Sequence, residues 1–376
     1  MQAKGRVVVA MSGGVDSSVA AALLVESGAE VVGVTMHLAG DSSRCCSLED
    51  AEDARAVADA LGIRFYVANY TGAFQKEVIE AFADSYLAGR TPIPCVACNK
   101  RFKFDHLMER ARVLGGEAVA TGHYAQIRQA PEGGSWSLHR PVDLQKDQTY
   151  FLFQLDQEQL SRTRFPLGEL EKEEVRDYAR RLGLATADKP ESQEICFVPD
   201  GDYAAVVERI RPEARARGGE IVDRAGRVLG EHSGIHRFTI GQRHGLGIHV
   251  GRPMYVIHID PVLRRVTVGD VQDLELDSID VEGVHWISGS PPTIPIRSRV
   301  QVRYRHAGAL AEVVPLGQSR VQVNFLEPVR APAPGQAAVF YAPDEEVSQE
   351  VFGGGWIASR VGPSETSARE GRAACP

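Results

Sequence analysis

The stretch VVVAMSGGVDSSVAAALL, residues 7–24, places an aliphatic run, two glycines and an alanine-rich segment in direct succession. The aliphatic run predicts a buried strand and the alanine-rich segment predicts a helix. The glycines allow a tight turn whose backbone N–H groups, together with the helix N-terminus, form an anion site suited to phosphate. No Gly-Lys-Ser/Thr follows, so this is not a Walker loop. On glycine content alone, a plain strand–helix turn is equally open.

Strand and helix patterns continue to alternate beyond this stretch. Predicted strands cover 6–11, 30–36, 64–69 and 117–121, and predicted helices cover 16–27, 48–61, 73–87 and 100–114. This alternation is typical of a parallel sheet with helices on both faces. We therefore predict an α/β N-terminal domain of an open, nucleotide-binding type.

The pattern changes after residue 201. A helical segment at 202–210 is followed by short runs rich in valine and isoleucine, with turns expected at Asp223–Gly226, Asp260–Arg264 and Leu316–Ser319. These runs predict a small β-rich central linking domain and a C-terminal β-barrel. We divide the chain into domains at 1–205, 206–273 and 274–358, and expect the aperiodic tail at 359–376 to be disordered.

Composition narrows the class of protein. With 43% hydrophobic residues in 376, the chain suits a multidomain globular protein. Its N-terminus lacks the form of a signal peptide and no stretch approaches the ~20 apolar residues of a membrane span, so we expect no membrane partner and a cytoplasmic protein. The net charge of −8 argues against a general polycation but leaves a nucleic-acid partner open, because binding depends on where the cations cluster.

Six cysteines occur at irregular spacing, which in a reducing compartment favours thiol or metal chemistry over a disulfide framework. Cys95 and Cys98 form a CxxC pair in TPIPCVACN, and Cys196 follows a polar loop from which it could return to the mouth of the sheet. Cys45 and Cys46 are adjacent, so their side chains diverge, and we interpret both as ordinary loop thiols. Cys375 lies in the tail and is interpreted as incidental.

The string SGGVDSS resembles the pyrophosphate-binding loop of the ATP pyrophosphatases, which adenylate an oxygen and release pyrophosphate. The resemblance implies an adenine nucleotide α-hydrolase-like fold and ATP as cosubstrate, with Mg²⁺ near Asp16. It also implies that Met36 lies by the adenine and that Gly122 closes the nucleotide pocket. The residues implied to line the phosphates are Ala10, Met11, Ser12, Gly13, Gly14, Val15, Asp16 and Ser17.

A longer set of motifs is similar to those of the tRNA-specific 2-thiouridylases, which replace the C2 oxygen of the wobble uridine with sulfur. SGGVDSS, TPIPCVACN, ATGHYA, KDQTYFL and ESQEICF occur in order, and GIHRFTIGQRHGLGI, VRYRH and APGQAAVFY continue the match over nearly the whole chain. The resemblance implies ATP-dependent adenylation of the C2 oxygen, followed by attack of sulfur and release of AMP. The sulfur donor would be a carrier protein or free sulfide, and we expect a monomer.

The resemblance implies that Cys196 carries sulfur as a persulfide and that Cys98 is the nucleophile or resolving thiol, the two closing a disulfide after delivery. Cys95 departs from the family pattern, which has Asp at this position. Cys95, Cys98 and Cys196 could instead bind three irons of a [4Fe–4S] cluster, since thiolates are the usual ligands. Zinc is a weaker alternative because no fourth ligand is evident.

Positive charge is needed to hold tRNA phosphates. A basic run follows the cysteine pair, while Phe102 and Phe104 within it are expected in the core. In RSRVQVRYR, a continuous strand would place Arg297, Arg299, Arg303 and Arg305 on one face. The resemblance implies tRNA contacts at His123, Lys146, Asp147, Gln148, Arg303, Tyr304 and Gln336.

Two other functions stay open at this point. An ATP pyrophosphatase acting on a small acid would need neither Cys98 nor Cys196. A non-catalytic RNA-binding module with a vestigial loop would tolerate Asp16→Ala and Cys98→Ser.

Overall fold

The computed structural model describes residues 5–38, 48–189, 195–198, 201–344 and 349–361. Cys45, Cys46 and Cys375 lie outside these ranges, as does the tail from 362 onward. No helix among the described residues is long and apolar enough to cross a membrane.

Seventeen strands and nine α-helices occur in the described ranges. The strands are β1 Arg6–Ala10, β2 Glu30–His37, β3 Arg64–Asn69, β4 Ala118–Ala120, β5 Gln126–Gln129, β6 Trp136–His139, β7 Thr163–Arg164, β8 Gly219–Val222, β9 Val228–His232, β10 Tyr255–Asp260, β11 Arg265–Gly269, β12 Glu275–Trp286, β13 Ile296–Gln301, β14 Ala309–Pro315, β15 Arg320–Arg330, β16 Ala337–Tyr341 and β17 Glu350–Val361. The helices are α1 Val15–Glu26, α2 Leu48–Ala60, α3 Thr71–Phe74, α4 Ala81–Leu87, α5 Pro94–Cys98, α6 Leu107–Val113, α7 Gln157–Ser161, α8 Lys172–Arg181 and α9 Tyr203–Ile210. Two π-helical segments, Gln75–Glu80 and Asn99–His106, join α3 to α4 and α5 to α6.

The N-terminal sheet is parallel, in the order β3-β2-β1-β4-β7. Successive side chains of a strand point to opposite faces, and β1 shows this directly. Val8 packs into the core beneath α4, α5 and α6, whereas Val7 and Val9 pack into the core beneath α1, α2 and α8. Both faces are covered by helices, as the alternating pattern predicted.

Chain order reverses direction across this sheet between β1 and β4. The chain runs outward from β1 to β3 and then crosses to β4 on the other side of β1. Ligands of open α/β sheets bind at the carboxyl ends of the strands beside such a switch point. The loops that follow Ala10 and Ala120 therefore border the expected pocket.

The central sheet has four strands in the order β10-β11-β8-β9. The predicted turn at Asp223–Gly226 lies between β8 and β9, and the predicted turn at Asp260–Arg264 joins β10 to β11. Both turns are confirmed, and each belongs to one hairpin. The sequence also predicts a β-like run at 236–248, and this prediction is wrong: the run overlaps a short 3₁₀ helix, Ile235–Arg237, and contains no strand.

The C-terminal strands form a closed six-stranded barrel. Their order is β12-β15-β14-β13-β16-β17, and β17 pairs back onto β12. The turn at Leu316–Ser319 is confirmed between β14 and β15. The strand β17 extends to Val361, so residues 359–361 belong to the barrel rather than to a disordered tail.

The N-terminal region also contributes a hairpin to this barrel. Strands β5 and β6 pair with each other, and β6 adds to the edge of β17 through Glu350 and Val351. This hairpin was not predicted, because each strand has only four residues and β5, QIRQ, contains a single apolar side chain. It joins the α/β domain to the barrel through backbone pairing.

The expected arginine strand is shorter than predicted. The strand β13 ends at Gln301, and Arg303 to Arg305 form a turn in which Arg305 has a φ of 66°. A residue in the left-handed region cannot continue a strand. Only Arg297 and Arg299 therefore share a strand face, and the prediction for Arg303 and Arg305 is wrong.

Candidate active site

The glycine turn after β1 is held by backbone and serine contacts. Gly13 has a φ of 70°, and a Cβ there would lie 2.3 Å from the carbonyl oxygen of Asp50. The amide of Ser12 donates to Ser17 Oγ at 3.1 Å, and Ser17 Oγ donates to the Gly14 carbonyl at 3.1 Å. Gly14 precedes α1 without a side-chain cap, so the first N–H groups of that helix border the turn. An arrangement of this kind is suited to binding an anion.

The loop after β4 packs directly onto the start of α1. A Cβ on Gly122 would lie 2.6 Å from the carbonyl carbon of Asp16 and 2.7 Å from the amide nitrogen of Ser17. Tyr124, two residues later, donates its hydroxyl to Asp16 Oδ1 at 2.9 Å. The two loops predicted from the sequence to border the pocket are therefore in contact.

Asp16 is held by a lysine that the sequence did not single out. Lys172 Nζ lies 2.7 Å and 2.9 Å from the two carboxylate oxygens of Asp16. The Lys172 side chain is 9% exposed, whereas that of Asp16 is 32% exposed. The Lys172 amide also donates to Asp143 Oδ2 at 3.0 Å, which fixes the first residue of α8. A cation is thus placed beside the anion site.

The remaining residues implied for the nucleotide lie at the ends of β1 and β2. Met11 is 2% exposed, and its amide donates to the carbonyl of Val34. Met36 is 5% exposed and packs into the core beneath α4 to α6. Its side chain is part of that core, so any adenine contact uses the exposed edge of the strand end.

The cysteine pair begins a helical segment. Pro94 is the first residue of α5, where its missing N–H removes no helical bond, and Val96 is fully buried. The five-residue α5 continues into the π-helical segment, a form of helix frequent at functional sites. Asn99 Nδ2 donates to the carbonyl of Phe151 at 3.3 Å, which ties this segment to the loop after Lys146.

Cys98 and Cys196 pack against the same hydrophobic core, and both are half-buried. The neighbour of Cys196, Phe197, is 4% exposed and makes edge contacts with Phe74 and Phe82, at ring-centroid distances of 6.0 and 5.2 Å. Aromatic pairs of this geometry add to the stabilisation from burial. The Phe197 side chain therefore anchors the short described segment that carries Cys196.

Cys95 lies near the barrel turn that carries Tyr304. Burial raises the pKa of Tyr304, and the neighbouring groups that act on that pKa include Asp147, Lys146 and Cys95. The Tyr304 ring lies 4.5 Å from that of Phe151. Tyr304, Lys146 and Asp147, for which the resemblance implied tRNA contacts, thus lie near Cys95 in the structure.

The donor set for an iron–sulfur cluster does not fit this arrangement. Within the described ranges, which include Cys95, Cys98 and Cys196, no group of three or more His, Cys, Asp or Glu side chains is placed to hold a metal ion. We derive no chemical step through a cluster or through zinc.

Three domain families match the chain in order. They are a tRNA methyl transferase HUP domain at residues 5–200, a tRNA methyl transferase PRC-barrel domain at 206–270 and an aminomethyltransferase β-barrel domain at 276–357. Relatives that match over nearly their full length are named for thiolation rather than for methyl transfer. The tRNA-specific 2-thiouridylase MnmA of Solibacter usitatus is 50% identical over 370 residues, covering 93% of this chain and 98% of that protein. The chain belongs to the tRNA-specific 2-thiouridylases.

A second 2-thiouridylase, from Acidobacterium capsulatum, is 47% identical over 378 residues and covers 95% of this chain and 100% of that protein. Among solved structures, a 4-thiouridine synthetase–RNA complex with bound ATP is a distant likeness, at 21% identity and a TM-score of 0.37 over 56% of this chain and 51% of that one. This 2-thiouridylase therefore acts on tRNA, thiolating the wobble uridine at C2 with the use of ATP. Identity over the whole chain sets aside the small-acid enzyme and the non-catalytic RNA-binding module.

Several residues with implied tRNA contacts also have structural partners in this thiouridylase. His123 is 6% exposed, and its Nδ1 lies 2.7 Å from Thr121 Oγ1. Burial, together with the Lys103 cation, holds the pKa of His123 well below its usual range. The ring is therefore neutral and interior, which argues against direct contact with a phosphate.

The loop that contains Lys146, Asp147 and Gln148 is fixed by two of its own side chains. Asp147 accepts from the Thr149 amide at 2.9 Å and forms an ion pair with Arg140 at 3.3 Å. Gln148 Oε1 accepts from the Tyr124 amide at 2.9 Å. Two of the three implied contact residues thus hold the loop in shape.

The basic run after the cysteine pair is largely neutralised within the thiouridylase. Lys100 lies 3.3 Å from Asp156, and Arg112 pairs with Glu158. Arg101 lies within 4 Å of Glu77 and Asp105. Phe102 and Phe104 are fully buried, which confirms their core assignment. The run therefore offers tRNA less free charge than its composition indicated.

Proposed function

We propose that this 2-thiouridylase adenylates the wobble uridine at the loop between β1 and α1 and transfers sulfur through Cys98 and Cys196. The observation that carries the proposal is a chain of contacts: Asn99, which follows Cys98, donates to the Phe151 carbonyl at 3.3 Å, and the Phe151 ring lies 4.5 Å from that of Tyr304. It joins the cysteine helix to the surfaces from which the tRNA contacts were expected.

In the first step, ATP binds with its phosphates at the turn spanning Ser12 to Asp16. The N–H groups of the turn and of the first turn of α1 neutralise phosphate charge, and Lys172 supplies a cation beside them. Mg²⁺ typically uses one or two carboxylates together with substrate phosphates, so Asp16 would be its protein ligand. The metal would supply charge neutralisation at the phosphates as pyrophosphate leaves.

Adenylation converts the C2 oxygen of uridine into a good leaving group. The terminal sulfur of a Cys196 persulfide then attacks C2, and AMP departs with the former uridine oxygen. The Cys98 thiolate next attacks Cys196 Sγ, which breaks the sulfur–sulfur bond of the adduct. The products are 2-thiouridine and a Cys98–Cys196 disulfide, which a thiol reductant must reduce before the next turnover.

Cys95 has no covalent role in this sequence of steps. It stands where the resemblance places an Asp, and it lies near Tyr304 of the barrel. A thiol there would leave the orientation of the base to neighbouring groups, of which the aromatic faces of Tyr304 and Phe151 are suited to stacking a uracil.

The tRNA surface of the proposal comprises Lys146 and the turn that carries Arg303 and Tyr304. Tyr304 is 38% exposed, so its ring is available to a base. Asp147, Gln148 and His123 act indirectly, through the contacts described above.

The finer organisation stays a prediction. We propose domains at 1–205, 206–273 and 274–358, a monomer and a cytoplasmic location. The proposed sulfur donor is a carrier persulfide, which passes its outer sulfur to the Cys196 thiolate, or free sulfide, which in place of the reductant opens the Cys98–Cys196 disulfide and leaves a Cys196 persulfide and the Cys98 thiolate. The separate parallel, mixed and barrel sheets support the division into three domains.

Three cysteine variants test the sulfur-transfer steps. We expect Cys98→Ser and Cys196→Ser to abolish 2-thiouridine, measured by mass spectrometry of digested tRNA, while tRNA binding and pyrophosphate release persist. Cys95→Ser is the matched control and should retain thiolation. Stoichiometric iron and acid-labile sulfide in anaerobically purified protein, lost together with thiolation in the Cys95 variant, would overturn the persulfide steps.

A further inference from the structure

The six residues between α4 and α5 lead directly to the cysteine helix, and the barrel holds them from one side. The Thr91 amide donates to the Pro334 carbonyl at 2.8 Å. Gln336 Nε2 donates to the Thr91 carbonyl at 3.0 Å. The amide and the carbonyl of Thr91 are therefore both bonded to one barrel turn. Gln336 of that turn is 245 residues from Thr91 in the sequence.

The barrel turn fits closely against this segment. Gly335 has a φ of 89°, and a Cβ there would lie 2.9 Å from the Cβ of Arg90 and 3.0 Å from the amide nitrogen of Thr91. Only glycine combines this left-handed conformation with so close an approach. The barrel turn and the segment before α5 are therefore joined by close packing as well as by hydrogen bonds.

The turn is itself part of the barrel wall. The amide of Gly335 donates to the Ile357 carbonyl, and the Ile357 amide donates to the Gln336 carbonyl, each at 2.9 Å. The Gln336 amide donates to the Ala333 carbonyl at 3.1 Å. A turn bonded on both sides to strand β17 moves with the barrel and provides a rigid support.

The cysteine helix is less well supported on the side that faces the barrel. A pocket of about 220 Å³ that opens to solvent lies there, and its lining includes Ile93, Pro94 and Ala97 of the helix and its approach and Trp356 of the barrel. Side chains that line such a pocket have fewer packing partners on that side. The start of this helical segment therefore depends on the connection that precedes it.

We propose that Gln336 is a positioning residue, which fixes the approach to α5 and so sets the position of the Cys98 thiol. This rests on the role proposed for Cys98 above. It gives Gln336 a role other than the tRNA contact that the resemblance implied, because an N–H of its amide donates to Thr91 within the protein. Through this turn the barrel and the cysteine helix form one unit.

The first test compares Gln336→Ala with Gln318→Ala, which removes an exposed glutamine from another barrel turn. Misplacing a reacting group by 1 Å costs on the order of 10²-fold in rate, so we expect kcat for thiolation to fall about 10- to 100-fold in Gln336→Ala. The Kd for tRNA should stay within about twofold. A raised Kd with unchanged kcat would overturn the proposal in favour of direct tRNA contact.

A second readout does not depend on the sulfur chemistry. We expect the rate of alkylation of Cys98 by iodoacetamide, followed by peptide mass spectrometry without tRNA, to change severalfold in Gln336→Ala and not in Gln318→Ala. Unchanged alkylation would overturn the positioning role. If Cys98→Ser still thiolates tRNA, the proposed function fails even when this alkylation result holds, so the two failures are distinguishable.

A steric variant breaks the same contact without touching the Gln336 side chain. Gly335→Ala should reproduce the loss of kcat and the altered alkylation, because its Cβ would displace Thr91. Gly317→Ala is the matched control, since Gly317 also has a positive φ, 126°, but its Cβ would meet nothing within 4 Å. Equal losses in both glycine variants would assign the effect to backbone strain and overturn the proposal.

Discussion

Gly122→Ala should disable ATP use while leaving the protein folded. The added methyl group would lie 2.6 Å from the Asp16 carbonyl carbon and 2.7 Å from the Ser17 amide nitrogen, both in the first turn of α1. Carbon atoms in good contact are about 3.5–4.0 Å apart. The loop after β4 and the start of α1 must therefore separate by roughly 1 Å.

The magnitude follows from two separate effects. Forcing an extra carbon into packed structure destabilises proteins by about 1–3 kcal/mol, which a chain of this size tolerates. A displacement of roughly 1 Å at a reacting centre costs about 10²-fold in rate. Since Asp16 and Ser17 belong to the proposed phosphate site, the loss should fall mainly on kcat/KM for ATP.

The assay is tRNA-dependent release of pyrophosphate, measured alongside thermal unfolding. The control is Gly72→Ala in α3, where an added Cβ meets nothing within 4 Å, so activity should be unchanged and stability slightly raised. Wild-type pyrophosphate release by Gly122→Ala would refute the reasoning, because it would show that this contact does not set the geometry of the phosphate site.

Three further predictions follow from other contacts. Lys172→Met should raise KM for ATP on the order of tenfold or more, measured by pyrophosphate release, because the Asp16 carboxylate would lose its cation beside an incoming polyanion; an unchanged KM would show that the pair is purely structural. Burial lowers the pKa of His139 and of His306 to about 4, so both are neutral when folded, and stability should be full above pH 6.5 and fall as the pH drops from 6.5 towards 4. The melting temperature should therefore fall between pH 6.5 and pH 4, and the fall should be smaller in His306→Gln. A melting temperature that does not change across this range would contradict the prediction. Phe197→Ala should lower the free energy of unfolding by about 3–5 kcal/mol, because the side chain is buried. An unchanged midpoint of urea unfolding would show that the segment of Cys196 is anchored by other contacts.

Local patterns were sufficient for the first strands and helices and for the glycine turn. The strand, glycine turn and helix at residues 7–24 follow from hydrophobic periodicity and from the conformational freedom of Gly13, both of which act within a few residues. The burial of Phe102 and Phe104 was also expected from the sequence. The alternation at 297–305 failed because a turn at Arg305 overrides the strand period.

The cysteines show the limit of reasoning from spacing. A CxxC pair is compatible with metal, redox or nucleophilic chemistry, and only side-chain placement separates these. In the structure Cys98 and Cys196 pack on one core, an arrangement that no local pattern encodes.

The sequence by itself therefore determined the α/β class, the glycine turn and, through its ordered motifs, the family of the enzyme. Tertiary structure alone decided that Lys172 meets Asp16 across 156 residues, that β17 closes the barrel onto β12, and that the turn at Gln336 holds Thr91. The physical reason is that periodicity reports which face of an element is buried, whereas the choice of partner depends on packing and pairing between segments far apart in the chain.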